Sequence, residues 1–158
     1  MPELSALQYL AQLARGVAGQ FGSNCEVVVH DLASHDPEHS IVAIENGHVT
    51  GRRVGDGPSP LVLEELRGDP GRLQDRLCRL TRTRDGKMLK STTLYLRGED
   101  GTAVGLFCIN YDITFMLAVE NQLKQFTDVQ PEARMAESAA RSVSDLLDEL
   151  IEQSVALV

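Results

Sequence analysis

Residues 86–114 limit the fold of this chain more than any other stretch. Met88 to Leu96 and Ala103 to Ile109 are strand-like runs of apolar and β-branched residues, separated by Arg97-Gly98-Glu99-Asp100-Gly101. Gly98, Asp100 and Gly101 tolerate positive φ, so this segment is a hairpin turn. The second run turns polar at Asn110 and Asp112, and a helix is expected to start near Thr114. A hairpin that feeds a helix requires an antiparallel sheet with helices attached.

The rest of the chain supplies that sheet. Leu4, Leu7, Leu10, Leu13, Val17 and Phe21 recur at helical spacing, which predicts an amphipathic helix over about residues 4–20, ending near Gly22. Residues 24–31 and 40–45 read as short strands on either side of a turn at Pro37. A glycine-rich segment from Asn46 to Pro58 follows, then a short helix over residues 60–66. Residues 77–83 read as a strand, and Arg84-Asp85-Gly86 is a hairpin turn signal. A helix from Thr114 to Phe126 is interrupted over residues 128–131. Val143, Leu146, Leu147, Leu150, Ile151 and Val155 then form a second apolar stripe. The class is α+β, with five strands in one antiparallel sheet and a helical connection after the second.

Charge and cysteines narrow the function. With 158 residues the chain is long enough for one well-packed domain. Its formal net charge is −8, against the basic surface that nucleic-acid binding requires. The segment from Glu132 onward is itself acidic, with six acids and only Arg134 and Arg141 as bases. Cys25, Cys78 and Cys108 are an odd number without Cys-x-x-Cys spacing, which argues against a disulfide framework or zinc site and fits a reducing cytoplasm. No apolar run approaches the length of a membrane helix, and the first residues lack the basic start of a signal peptide.

No combination of residues reads as catalytic. Gly47, Gly51, Gly55 and Gly57 lack the Lys-Ser/Thr and the spacing of a phosphate loop. They read instead as a loop with several positive-φ positions, one that can also line a ligand pocket. His30 and Asp31 are adjacent in a strand and so point to opposite faces. Cys108 lies in an apolar strand, where a thiol is inert. Asp112 or Thr114 is placed to cap the following helix, and Asn110 is better placed to reach a ligand. His30, His35, His39 and His48 do not have metal-ligand spacing. Phe107, Tyr111 and Tyr95 are expected to form an aromatic patch on one sheet face. Neither haem nor flavin is indicated, and no cofactor is expected.

Three blocks are more specific. Asn24-Cys25-Glu26-Val27-Val28-Val29-His30-Asp31-Leu32, Ser40-Ile41-Val42-Ala43-Ile44-Glu45-Asn46-Gly47-His48-Val49-Thr50-Gly51-Arg52 and Cys108-Ile109-Asn110-Tyr111-Asp112 resemble the YheO-like PAS domain of bacterial transcriptional regulators. The resemblance covers roughly residues 5–125. It implies a PAS-like five-stranded antiparallel sheet, a helical connection over one face, and flanking N- and C-terminal helices. Residues 1–126 would be the sensor domain, and residues 127–158 a C-terminal amphipathic connector to a helix-turn-helix domain absent from this chain. The implied function is ligand sensing by a non-enzymatic, cytoplasmic homodimer that does not bind DNA through this chain alone. Because the helical connection must return over the sheet, Asn46, His48, Arg52 and Asn110 are expected to meet a small polar ligand in one cavity. The alternative is a ligand-free interaction module with a profilin-like or roadblock-like fold, using its helices for assembly.

Overall fold

The computed structural model describes residues 5–130 and 143–156. Helix α1 runs over Ala6–Phe21. Ser5 caps it by accepting from the Gln8 amide, while the Gln8 side chain accepts from the Ser5 amide, a reciprocal capping box. Gly22, at φ 86°, ends the helix. Strands β1 (Cys25–Asp31) and β2 (Ile41–Glu45) follow, then α2 (Pro60–Arg67). Ser59 caps α2, and Pro60 occupies its first turn. Strands β3 (Arg76–Arg82), β4 (Met88–Arg97) and β5 (Ala103–Asp112) complete the sheet. Helices α3 (Thr114–Thr127) and α4 (Val143–Ala156) come last. The interruption expected over residues 128–131 lies partly outside the described residues.

The strands form one sheet in the order β2-β1-β5-β4-β3, with every pair antiparallel. This is the five-stranded arrangement with a helical connection after β2 that the sequence implies. The middle strand, β5, pairs Cys108 with Val28 on one side and with Thr93 on the other. β3 is an edge strand whose ladder is interrupted between Arg76 and Arg79, where Cys78 has φ 53°.

Each face of the sheet has its own core. Ala14 and Ala18 of α1 pack on Cys25, Val27, Val29 and Phe107. On the other face, Val62 of α2 and Leu73 of the connection pack with Val28, Ile41, Tyr95, Leu106 and Cys108. All seven β1 residues are buried, because both faces are covered at that point. The alternating pleat also separates the expected aromatic patch. Phe107 and Tyr111 lie on the α1 side, where Tyr111 meets Phe21 edge to face at 6.5 Å. Tyr95 pairs with Leu106, lies on the opposite face and donates its hydroxyl to Glu65 at 2.6 Å. One residue of register decides which face an aromatic side chain occupies.

The chain packs as two units, Met1–Leu117 and Ala118–Val158. Among the described residues, no helix is long and apolar enough to cross a membrane.

Candidate functional site

The site begins with a charged residue inside an apolar strand. Glu26 occupies the second position of β1, and its exposure is 0%. A buried carboxylate is tolerated only when its oxygens are fully partnered. Glu26 Oε1 accepts from Asn110 Nδ2 at 2.8 Å and from Arg52 Nη2 at 2.9 Å. Glu26 Oε2 accepts from the Thr50 hydroxyl at 2.6 Å and the Thr50 amide at 3.2 Å. Arg52 Nε in turn donates to Thr50 Oγ1 at 2.9 Å. Asn110 stands opposite Glu26 in the β1–β5 ladder, so the strand register alone brings those two together.

The loop after β2 delivers the other two partners. Asn46 adopts the left-handed conformation at φ 54°, and Gly51 has φ 78°. A side chain at Gly47 would collide with the carbonyl of Arg52. The loop is therefore a tight hook, and the Asn-Gly-His-Val-Thr-Gly-Arg spacing turns Thr50 and Arg52 back toward β1.

Thr50, Arg52 and Asn110 line a cavity of about 430 Å³ between the sheet and the start of α2. That volume falls within the range of small-molecule sites. Leu89, Ser91, Thr93 and Cys108 contribute from β4 and β5, and Ser59 and Val62 contribute from the cap and first turn of α2. Arg76, Arg79 and Arg82 contribute from β3, with Arg84 just beyond it.

The sequence model of the YheO-like PAS domain family matches residues 2–128. The chain belongs to this family. It is 32% identical over 143 residues to the uncharacterized protein YheO of Escherichia coli strain K12, covering 89% of this chain and 58% of that one. It is 31% identical over 140 residues to an uncharacterized protein of Haemophilus influenzae, covering 89% and 62% respectively. The chain thus spans about three fifths of the length of these curated relatives. Among solved structures it is similar to an RNA-binding light-oxygen-voltage receptor, with TM-score 0.46, 16% identity and coverage of 82% of this chain and 41% of that one. It is also similar to the PAS domain of the fruit-fly ELK potassium channel, with TM-score 0.39, 17% identity and coverage of 63% and 95%.

Within this YheO-like PAS domain, the four residues singled out from the sequence divide into two pairs. Arg52 and Asn110 meet at Glu26 and line the cavity. Asn46 turns the other way: its Nδ2 donates to the carbonyls of Cys25 at 2.8 Å and Gly22 at 3.1 Å, which fastens the loop to the start of β1. His48 is exposed and absent from the cavity lining; its carbonyl accepts from Lys87 Nζ at 3.3 Å. Sequence reasoning gave no role to Glu26 or Thr50. The available signal was a lone carboxylate in the run Cys-Glu-Val-Val-Val-His, where charge is out of place unless it is partnered.

The remaining candidates have structural roles. Burial pushes the Cys108 thiol up to about 11, so it is not a nucleophile at neutral pH. His30 is fully buried; its Nδ1 lies 2.9 Å from Ser40 Oγ, which donates to the Pro37 carbonyl. The ring therefore donates through Nδ1, and Nε2 is left without a partner. Burial, aided by the Arg52 charge, lowers the His30 pKa to about 3. Asp31 instead accepts from the Ala33 and Ser34 amides and from His35. Asp112 Oδ1 accepts from the Thr114 amide and hydroxyl at the start of α3, as a capping residue does. Among the described residues, no group of three His, Cys, Asp or Glu side chains is placed to hold a metal ion.

Proposed function

We propose that this chain is the ligand-sensing module of a bacterial transcriptional regulator. One observation carries this reading: a fully buried carboxylate, Glu26, holds Thr50, Arg52 and Asn110 at the rim of a cavity. A buried charge and its partners seldom add stability over an apolar core. Their presence here fits a role in presenting polar groups to a ligand. Arg52 and Asn110 are the proposed contacts, while Asn46 and His48 serve the loop that positions Arg52.

The signal would travel by population shift. Asn110 lies two residues before Asp112, which holds the first turn of α3 through Thr114. The Met88 amide donates to Thr114 Oγ1 at 2.9 Å, and the Ile113 amide donates to the Met88 carbonyl at 2.9 Å. A ligand that moves Asn110 therefore acts on the junction from which α3 leaves. DNA contact is assigned to a helix-turn-helix domain of the full-length protein. This acidic chain alone is expected to bind DNA no better than other acidic proteins, and a mobility shift with sequence-selective retardation would refute that. Three free cysteines fit a cytoplasmic setting.

Homodimerisation is part of the proposal. Tyr9 and Leu13 of α1, and Leu147, Leu150 and Ile151 of α4, are exposed apolar residues on amphipathic helices. Replacing Leu147 and Leu150 with Glu is expected to weaken association. Light scattering that finds a monomer at high micromolar concentration would rule the dimer out. The same exposed residues favour the second reading, a ligand-free interaction module. A thermal-shift screen separates the two. A compound that stabilises the wild type but not Asn110→Leu supports sensing. Folded protein that no compound stabilises favours assembly alone.

A further inference from the structure

We propose that the cavity takes a small organic acid, its carboxylate held by arginines and an adjacent hydroxyl or amine donating to Asn110. This inference rests on the ligand-sensing reading and names the ligand class. Five arginines line the cavity: Arg52, Arg76, Arg79, Arg82 and Arg84. No Asp or Glu is among the lining residues, although the chain carries a net charge of −8. Arg52 is paired with Glu26 and Arg76 with Glu65. Arg79, Arg82 and Arg84 pair with no carboxylate among the described residues.

Arginines gathered at one concave surface with no acid in its own lining raise the local anion concentration and repel cations, even though Arg76 and Arg79 also border a neighbouring cleft that holds Glu65, Asp69 and Asp75. Their planar forks match carboxylate geometry. The second part of the inference comes from Asn110. Glu26 can only accept, so the Asn110 atom facing it at 2.8 Å is the amide nitrogen. Its Oδ1 therefore points away from Glu26, accepts from no protein group among the described residues and keeps contact with solvent, and Asn110 lines the cavity while only 8% exposed. An acceptor next to cationic donors suits a ligand with both an anionic group and a donor. Ser91 and Thr93 add hydroxyls to the same wall. A bare inorganic anion would use the arginines and leave Asn110 idle.

The test is thermal denaturation of the full chain at constant ionic strength. The probes are L-malate and D-glycerate. Inorganic phosphate, glycerol and ethanolamine serve as anionic, neutral and cationic controls. The expected result is saturable stabilisation by malate or glycerate, lost in Asn110→Leu. Its midpoint should rise about tenfold or more in Arg79→Gln/Arg82→Gln. These arginines are exposed, so the double variant should fold; Arg84→Gln provides a second reading if it does not. Asn110-dependent stabilisation by glycerol or ethanolamine would overturn the acid inference and leave ligand sensing standing. Equal stabilisation by phosphate, indifferent to Asn110, would overturn it as a general salt effect. No stabilisation by any probe removes the acid inference. Ligand sensing itself fails only if a wider screen of neutral and charged compounds is also silent.

Discussion

Along β1, Cys25, Val27 and Val29 meet α1, while Glu26, Val28 and His30 meet the helical connection. Both sets are buried, yet from Cys25 to Val29 the α1-facing positions carry no charge, while the opposite set contains a carboxylate and an imidazole; Asp31, which ends the strand on the α1 side, is satisfied by the Ala33 and Ser34 amides and His35 of the following turn. The α1 face is held by shape and apolar area, which are non-directional and tolerate exchange. The opposite face is held partly by directional bonds, where losing one partner strands the others. The contrast is the reason for placing the proposed site on this face: a strand could be apolar on both sides, and this one is not.

The sharpest way to break this comparison is Glu26→Ala. It leaves Arg52, Asn110 and the Thr50 amide without their acceptor, and a loss of about 3–5 kcal/mol in urea denaturation is expected. If the loss is below 1 kcal/mol, on the scale of an exposed pair, the network is not structural and the contrast between the faces fails.

Next in size is the pH response of His30. Its folded pKa of about 3 lies below the ordinary 6.5, so the unfolded chain takes up a proton that the folded chain refuses. Stability contributed by neutral His30 is complete above about pH 6.5 and is lost as pH falls toward 3, by up to about 1.4 kcal/mol per pH unit. His30→Gln should flatten the profile between pH 6.5 and 4.5. An unchanged slope would show that other groups control it.

On the α1 face, Phe107→Leu keeps an apolar side chain of similar bulk. It should cost less than about 1.5 kcal/mol and leave any ligand response intact. Loss of the ligand response in this variant would erase the distinction between the faces. The smallest effect belongs to Arg67, at the end of α2, and Glu38, in the segment between β1 and β2, paired at 2.5 Å with side chains 69% and 52% exposed. Arg67→Ala should change stability by about 0–1 kcal/mol, because an exposed ion pair gains little. A larger loss would mean that α2 is held more by charge than by Val62.

Most of the fold was legible because periodicity records it. The stripe from Leu7 to Phe21, the alternation through β5 and the turn at Gly98–Gly101 each satisfy a local rule. The site was half legible. Arg52 and Asn110 stood out as polar residues beside strand and loop signals. Glu26 did not, because its meaning depends on its neighbour Asn110, 84 positions later in the chain. Asn46 looked like a ligand contact because an amide in a glycine-rich loop has two uses, and in the folded chain its Nδ2 is turned to the backbone carbonyls of Gly22 and Cys25. The aromatic expectation failed on one residue of strand register, which composition does not encode.

The edge strand β3 has a consequence for the protein's life at high concentration. Leu77 and Leu80 are each 62% exposed on a strand whose outer side has no partner strand among the described residues. Such an edge is a template for cross-chain strand addition. Here the left-handed backbone at Cys78 breaks its regularity, and Arg79 and Arg82, which pair with no carboxylate among the described residues, load it with like charge. Two copies brought edge to edge would set these arginines against each other. The arginines proposed to meet an acid are thus also expected to oppose edge-to-edge pairing, so a change made for one role alters the other.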